Sequence, residues 1–381
     1  MKRNVCVILS VIFVFMCLPF QVRAEEFSGE LTCASAILMD ADSGKVLFEK
    51  NADEKRFPAS VTKVMTLLLV FEALDSGKLK LDDSVTASEY ASSMGGSQIF
   101  LSPGESMRAE DMIKSVVIAS ANDAATALAE HLAGSEDSFV SKMNERAREL
   151  GMDNTNFANV SGLDDTVENH KTTARDIAIM SRELITKHPK VLEYSGIWMD
   201  TVRDGAFGLT NTNRLIRFYN GATGLKTGST AKAGFCISAT AKRGETSLIA
   251  VIMGAPTRDA RNADAKKLLD FGFANYETYK ADGGEIGELK ITGGESDVLG
   301  GEYKSISILL NKGTAARVTK EIITEENYYA PIKMGDVIGK VVYKLDGNTV
   351  GESDITASES VMKINFFGVF KRVLWGFLSV K

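Results

Sequence analysis

The chain has 381 residues, 44% of them hydrophobic and 25% charged, with a formal net charge of −6. That length exceeds one ordinary domain and the apolar fraction is typical of globular proteins, so at least two domains are expected. The acidic balance, without a basic stripe, argues against a nucleic-acid partner. The three histidines, His131, His170 and His188, are too scattered for a zinc motif, so no metal or other cofactor is expected.

Residues 1–24 read as a secretory signal. Lys2 and Arg3 give a positive start, residues 5–20 a hydrophobic stretch, and Val22-Arg23-Ala24 a small-residue cleavage site before Glu25. An uncleaved anchor is the alternative, and on either reading the rest of the chain faces outward. Cys6 and Cys17 fall inside this leader, which leaves Cys33 and Cys236. Both are expected in buried strands as free thiols rather than as a disulfide. Residues 34–40 and 46–49 read as a hairpin about the turn 41–45.

Pro58 then opens a helix over residues 61–73 (VTKVMTLLLVFEA), an apolar run without glycine or proline. Residues 79–105, with Gly95, Gly96, Pro103 and Gly104, read as an exposed irregular loop, the alternative being the mouth of a cleft. Helices are expected over 110–132 and 138–150. His170 precedes Thr173 and Asp176, which suit a capping box, and reads as a loop histidine at a helix entry. Residues 205–252 return to strands, with one at 234–242.

Composition shifts near Tyr276. Short β-rich runs at 305–310, 316–324 and 337–345 are split by Asn311-Lys312-Gly313 and Asp346-Gly347-Asn348, the latter a hairpin turn. They suggest a small all-β domain without a catalytic motif, serving as spacer or interaction module. In residues 361–381, Asn365, Gly368, Arg372, Gly376 and Ser379 recur at helical spacing on an otherwise apolar segment. Lys363, Lys371, Arg372 and Lys381 are basic, and no acidic residue follows Glu359. That pattern predicts a helix lying in an anionic membrane surface, a core or oligomer-contact helix being the alternative. Its mid-segment charges argue against a spanning helix.

Three motifs carry the chemistry: Ser60-Val61-Thr62-Lys63, Ser120-Ala121-Asn122 and Lys226-Thr227-Gly228. A serine hydroxyl is a weak nucleophile until a base takes its proton. Serine and lysine three residues apart share one face of a helix, so Lys63 can reach the Ser60 hydroxyl. A helix entry also offers free amides to a developing oxyanion. Lys63 serves as a base only if burial or a neighbouring cation lowers its pKa, and Lys226 is the candidate cation. No G-x-S-x-G elbow surrounds any serine.

Together with the stretches SAILMDADSGKVLFEKNADEKRFPASVTKVMT, VIASANDAATALAE, NVSGLDDTVENHKTTARDIA and GLKTGSTAKAGFCISATAKRGETSLIAVIMGAPTRDAR, these motifs resemble low-molecular-weight penicillin-binding proteins. The subgroup they look like is the serine-type D-alanyl-D-alanine carboxypeptidases. The resemblance implies an α+β catalytic domain, an antiparallel sheet covered by helices, followed by a small all-β domain and a C-terminal amphipathic helix. The divisions expected are 1–24 signal, 25–275 catalytic, 276–360 β-rich and 361–381 anchoring helix.

The implied activity is removal of the terminal D-alanine from peptidoglycan pentapeptide stems, inhibited covalently by β-lactams. By motif, Ser60 would form the acyl-enzyme, Lys63 act as base and Ser120 relay a proton to the leaving amine. Asn122 would hold the substrate amide, and Lys226 and Thr227, in the motif closed by Gly228, the terminal carboxylate. The amides of Ser60 and Ser229 would form the oxyanion hole. Arg261 would stand near the carboxylate, with Arg258 as its neighbouring contender. Transpeptidase, endopeptidase and β-lactamase chemistry share the motifs. However, the triplet is Ser-Ala-Asn rather than Ser-Asp-Asn, and no Glu-x-x-Leu-Asn lies between Ser120 and Lys226. A catalytically silent wall-binding protein is the remaining alternative.

Overall fold

Strand Ser35–Asp40 is buried along its whole length. Its alternate residues feed two different cores, because the sheet it belongs to is covered on both faces. In the computed structural model, which describes residues 27–165 and 167–378, this sheet has five antiparallel strands. Their spatial order is Val46–Lys50, Ser35–Asp40, Thr246–Ala255, Gly234–Arg243 and Ala222–Thr230. Ile37, Met39, Ile249 and Val251 pack into a core shared with helices Lys63–Asp75 and Ala174–Lys187. Ala36, Leu38, Leu248 and Ile252 face the other way, against Leu268, Leu269 and Phe273 of helix Arg258–Asn275. Gly272 lets that helix settle close, since a Cβ there would lie 2.5 Å from Leu248.

The α+β class and the hairpin at 34–49 are as expected, but the helix over 110–132 is not continuous. Helix Ala109–Lys114 runs into a wider π turn at Ser115–Ala119, breaks at Ser120, and resumes as Asn122–Ala133. Ser120 adopts left-handed backbone angles (φ 63°), which no helix propagates. Apolar periodicity alone cannot reveal such a break. The segment 79–105 is likewise less irregular than expected. It contains strand Ser84–Thr86, paired with Ser106–Arg108, and a short helix, Glu89–Ser92. Cys33 and Cys236 are buried free thiols, the former in a bend two residues ahead of its strand rather than within it.

Helix Arg258–Asn275 leads directly into strand Tyr276–Ala281 and the second domain. There the strand order is Val318–Thr324, Val337–Leu345, Asn348–Ala357, Val298–Tyr303, Gly284–Thr292 and Tyr328–Tyr329. A separate pair joins Tyr276–Ala281 to Ile306–Asn311. Asp346 (φ 51°) and Gly347 (φ 85°) close the hairpin between Leu345 and Asn348. Two positive φ angles are what a tight two-residue hairpin turn demands. The core collects Leu299, Ile308, Leu310, Val341, Tyr343 and Ile355. The final helix, Phe366–Leu378, is tied back by Arg372, which pairs with Asp297 at 2.6 Å and donates to the Glu295 carbonyl. The expected leader, with Cys6 and Cys17, lies outside the described residues, as does the end of the chain from Ser379.

Candidate active site

Ser60 sits in a single 3₁₀ turn, Ala59–Thr62, and the α-helix proper begins at Lys63 rather than Val61. Pro58 opens this turn as expected, its carbonyl accepting from the Val61 amide at 3.2 Å. Ala59, immediately before the serine, has φ 49°, a conformation that costs a non-glycine residue energy. Two glycines press on this turn. A Cβ on Gly162 would lie 1.8 Å from the Ala59 carbonyl oxygen, and one on Gly228 would lie 2.7 Å from the Ser60 nitrogen.

One turn further on, Lys63 points back toward the serine from a fully buried position. Its Nζ lies 3.1 Å from Ser60 Oγ, 2.5 Å from Asn122 Oδ1 and 2.8 Å from the Ser161 carbonyl. The last two partners can only accept. A neutral amine therefore gives them its two protons and keeps its lone pair for the Ser60 hydroxyl.

The break at Ser120 lets two side chains, Ser120 and Asn122, reach the same cleft from one short segment. Asn122 is fixed by its Nδ2, which donates to Gly95 O at 2.6 Å, and by its amide, which donates to Ser97 O at 2.7 Å. Asp123 steadies the same loop by accepting from the amides of Ile99 and Leu101.

The third motif lies in the edge strand Ala222–Thr230. Lys226 Nζ donates to Ser120 Oγ at 2.9 Å and to Thr227 O at 2.8 Å. Thr227 Oγ1 donates to Thr212 Oγ1 at 2.8 Å. Gly228 and Ser229 line the cleft beside Ser60. Arg261, in the first turn of its helix, is 3% exposed and holds Asn262 Oδ1 at 2.9 Å.

The electrostatics follow from burial among cations. Burial holds the Lys63 amine well below its ordinary range, with Lys226 adding to the effect. Burial, then the charge of Arg261, brings Lys226 down to about 7. Burial, then Arg258, brings Arg261 down to about 10.

All nine residues singled out in the sequence converge on this region. Ser60, Ser120, Thr227, Gly228, Ser229 and Arg261 line a cleft of about 620 Å³, with Lys63, Asn122 and Lys226 directly behind. Arg258 lines the cleft too, as does Ser97, from the segment 79–105 whose alternative reading is the mouth of a cleft; Trp198, Thr212 and Arg214, which the sequence did not flag, line it as well. Nor did it flag the Ser161 carbonyl, because a backbone acceptor leaves no trace in residue type. His170 does lie in the loop ahead of helix Ala174–Lys187, where Thr173 caps by accepting from the Asp176 amide, but its burial and its contacts are not readable from the sequence. The ring is fully buried behind the serine turn, with Nε2 2.8 Å from Thr62 Oγ1.

A serine beside a buried lysine whose pKa is held low, with a second serine–lysine pair opposite, defines an acyl-transfer site of the serine–lysine type. Known proteins agree. Residues 21–257 match the D-alanyl-D-alanine carboxypeptidase family, and residues 273–363 match the C-terminal domain of penicillin-binding protein 5. The D-alanyl-D-alanine carboxypeptidase DacF of Bacillus subtilis is 45% identical over 367 residues, covering 94% of this chain and 93% of its own. Penicillin-binding protein 5 of Haemophilus influenzae superposes with a TM-score of 0.77 at 34% identity, over 89% of this chain and 100% of that one. Penicillin-binding protein D2 of Listeria monocytogenes, solved in its ampicillin-bound form, gives 0.59 at 34% identity, over 64% of this chain and 98% of that one. The chain belongs to the D-alanyl-D-alanine carboxypeptidase family of serine peptidases, and is a hydrolase.

Proposed function

We propose that the chain removes the terminal D-alanine from peptidoglycan stem peptides ending in D-Ala-D-Ala, through an acyl-enzyme on Ser60. The observation that carries this reading is the 3.1 Å approach of the buried Lys63 Nζ to Ser60 Oγ. Lys63, whose pKa burial and Lys226 hold low, takes the serine proton as Oγ attacks the carbonyl carbon of the penultimate D-alanine. The amides of Ser60 and Ser229 receive the oxyanion. Asn122 steadies the substrate amide. Ser120, paired with Lys226, passes a proton to the amine of the departing D-alanine. Lys226, Thr227 and Arg261 hold that residue's carboxylate, which neutralises the cationic side of the cleft. Water then hydrolyses the ester, and the serine regains its proton. No step calls for a metal or other cofactor.

A β-lactam presents a strained amide and a carboxylate in similar relation, so it acylates Ser60 and blocks the enzyme. The family's penicillin-binding members support this. Labelling with fluorescent penicillin tests it: the wild type takes one label per chain, and Ser60→Ala takes none. Labelled Ser60→Ala would remove Ser60 as the nucleophile.

The leader and the last helix suggest an exported enzyme held at the outer face of the cytoplasmic membrane. Among the described residues no helix is long and apolar enough to cross a membrane. Helix Phe366–Leu378 exposes Phe366, Phe367, Phe370, Trp375 and Leu378, with Lys363 and Lys371 nearby. Aromatic and aliphatic side chains flanked by cations suit a helix lying in an anionic lipid surface.

A further inference from the structure

His170 takes no part in the acylation steps, yet it touches both structures that hold the catalytic pair. Its Nδ1 accepts from the Ala158 amide at 3.0 Å, so the ring's proton sits on Nε2. Nε2–H therefore donates to Thr62 Oγ1 at 2.8 Å, and the Thr62 hydroxyl donates in turn to the Ala59 carbonyl at 2.8 Å. Direction is fixed at each link, since Ala59 O can only accept and the Ala158 amide can only donate. Ala59 is the residue held at φ 49° directly before Ser60.

The other arm is equally connected. Ala158 opens the loop whose Ser161 carbonyl accepts from Lys63 and whose Gly162 seats against Ala59. Asn159 Oδ1 accepts from the amides of Ser161 and Gly162, which makes the loop one unit. The ring edge rests on Phe157 at 5.8 Å between centroids, so the imidazole has a single seat.

We propose that His170 is a positioning residue for acylation: as the neutral Nε2–H tautomer it locks, through Thr62 and the Ala59 carbonyl, the turn that presents Ser60 to Lys63. The proposal rests on the reading that Ser60 is the nucleophile. A neutral ring suits this seat, because burial and the nearby Lys63 both disfavour its protonation.

Three variants separate positioning from mere packing. A glutamine amide stands where Nε2 stands and keeps the donor to Thr62. An asparagine amide stands at Nδ1 and keeps only the Ala158 arm. Thr62→Val removes the hydroxyl link. The rate of acylation by fluorescent penicillin is measured well below each melting temperature. His170→Asn and Thr62→Val are each expected to lose tenfold or more, while His170→Gln stays within about threefold of wild type. The double variant His170→Asn/Thr62→Val should be no slower than Thr62→Val alone, because both break one chain. Asn and Val variants acylating within twofold of wild type would overturn the proposal, as would rates that merely follow melting temperature across all three. A wild-type chain that took no label would instead sink the Ser60 reading on which the proposal stands.

Discussion

Gly228 and Ser60 meet so closely that a β-carbon on the glycine would lie 2.7 Å from the serine nitrogen and 2.9 Å from the Val61 nitrogen. The edge strand and the nucleophile turn are thus in backbone contact, which brings the strand carrying Ser229 against the turn carrying Ser60; the amides of these two serines are the proposed oxyanion hole. A close approach of this kind, rather than turn flexibility, explains the glycine. Gly228→Ala must push strand and turn apart, at a cost of roughly 1–3 kcal/mol. We expect a melting temperature lower by several degrees and penicillin acylation slowed at least a hundredfold. Acylation at the wild-type rate would mean that the two amides do not act together.

Lys63 is fully buried and sits 3.1 Å from Ser60 Oγ. Lys63→Ala removes the proposed base and leaves Asn122 Oδ1 and Ser161 O without the Lys63 donor. General-base catalysis contributes about 10²–10⁴-fold. Acylation should fall by at least a thousandfold while the circular dichroism spectrum stays that of the wild type. Rates within tenfold of wild type would exclude Lys63 as the base.

The pH dependence has a defined sign. With Lys63 as the proposed base, acylation needs that amine without its proton, so the rate falls as pH drops through its pKa. Burial and Lys226 both place this limb far below the ordinary lysine range. Lys226→Gln removes a neighbouring positive charge, which lets Lys63 hold its proton more readily. The acid limb of the residual acylation should therefore move to higher pH. Movement to lower pH would contradict the electrostatic account.

His170 couples stability to pH. Burial, with Lys63 nearby, holds it down at about 4 against an ordinary 6.5. The folded state thus excludes a proton that the unfolded chain binds. Its contribution is fully present above about pH 6.5 and is lost as pH falls toward 4, amounting to roughly 3 kcal/mol. His170→Gln cannot take up that proton, so its melting temperature should decline less than the wild type's between pH 7 and pH 5. Parallel declines would show that His170 titrates normally in the fold.

Much of this site was legible because its chemistry is carried by side-chain types at fixed spacings. Ser60 and Lys63 are one helical turn apart, and the Lys226 triplet sits in an edge strand of β-rich sequence. What stayed hidden depends on backbone conformation. The apolar run 112–119 gives no warning that Ser120 turns left-handed and ends the helix. The Ser161 carbonyl is a backbone group, and the role of His170 depends on a loop folding back over 108 residues of sequence to Thr62. Arg214 and Trp198 reach the cleft from stretches that carry no motif. In the second domain the Asp346-Gly347 turn was plain from residue type, while the order of its strands was not.

The last helix offers a separable test. Its exposed phenylalanines and tryptophan bury little against the β-rich domain, to which Arg372 ties it through Asp297 and the Glu295 carbonyl. Deleting residues 366–381, which spares Val361 in the core of the β-rich domain, should release the protein from sedimenting membranes without changing acylation of the soluble enzyme. Continued sedimentation would mean that attachment lies elsewhere in the chain.

Release of D-alanine from a pentapeptide ending in D-Ala-D-Ala tests the central claim most directly, measured for wild type and Ser60→Ala, with and without penicillin. The account predicts release by the wild type alone, abolished by penicillin. Release by Ser60→Ala, or release that penicillin leaves untouched, would contradict it.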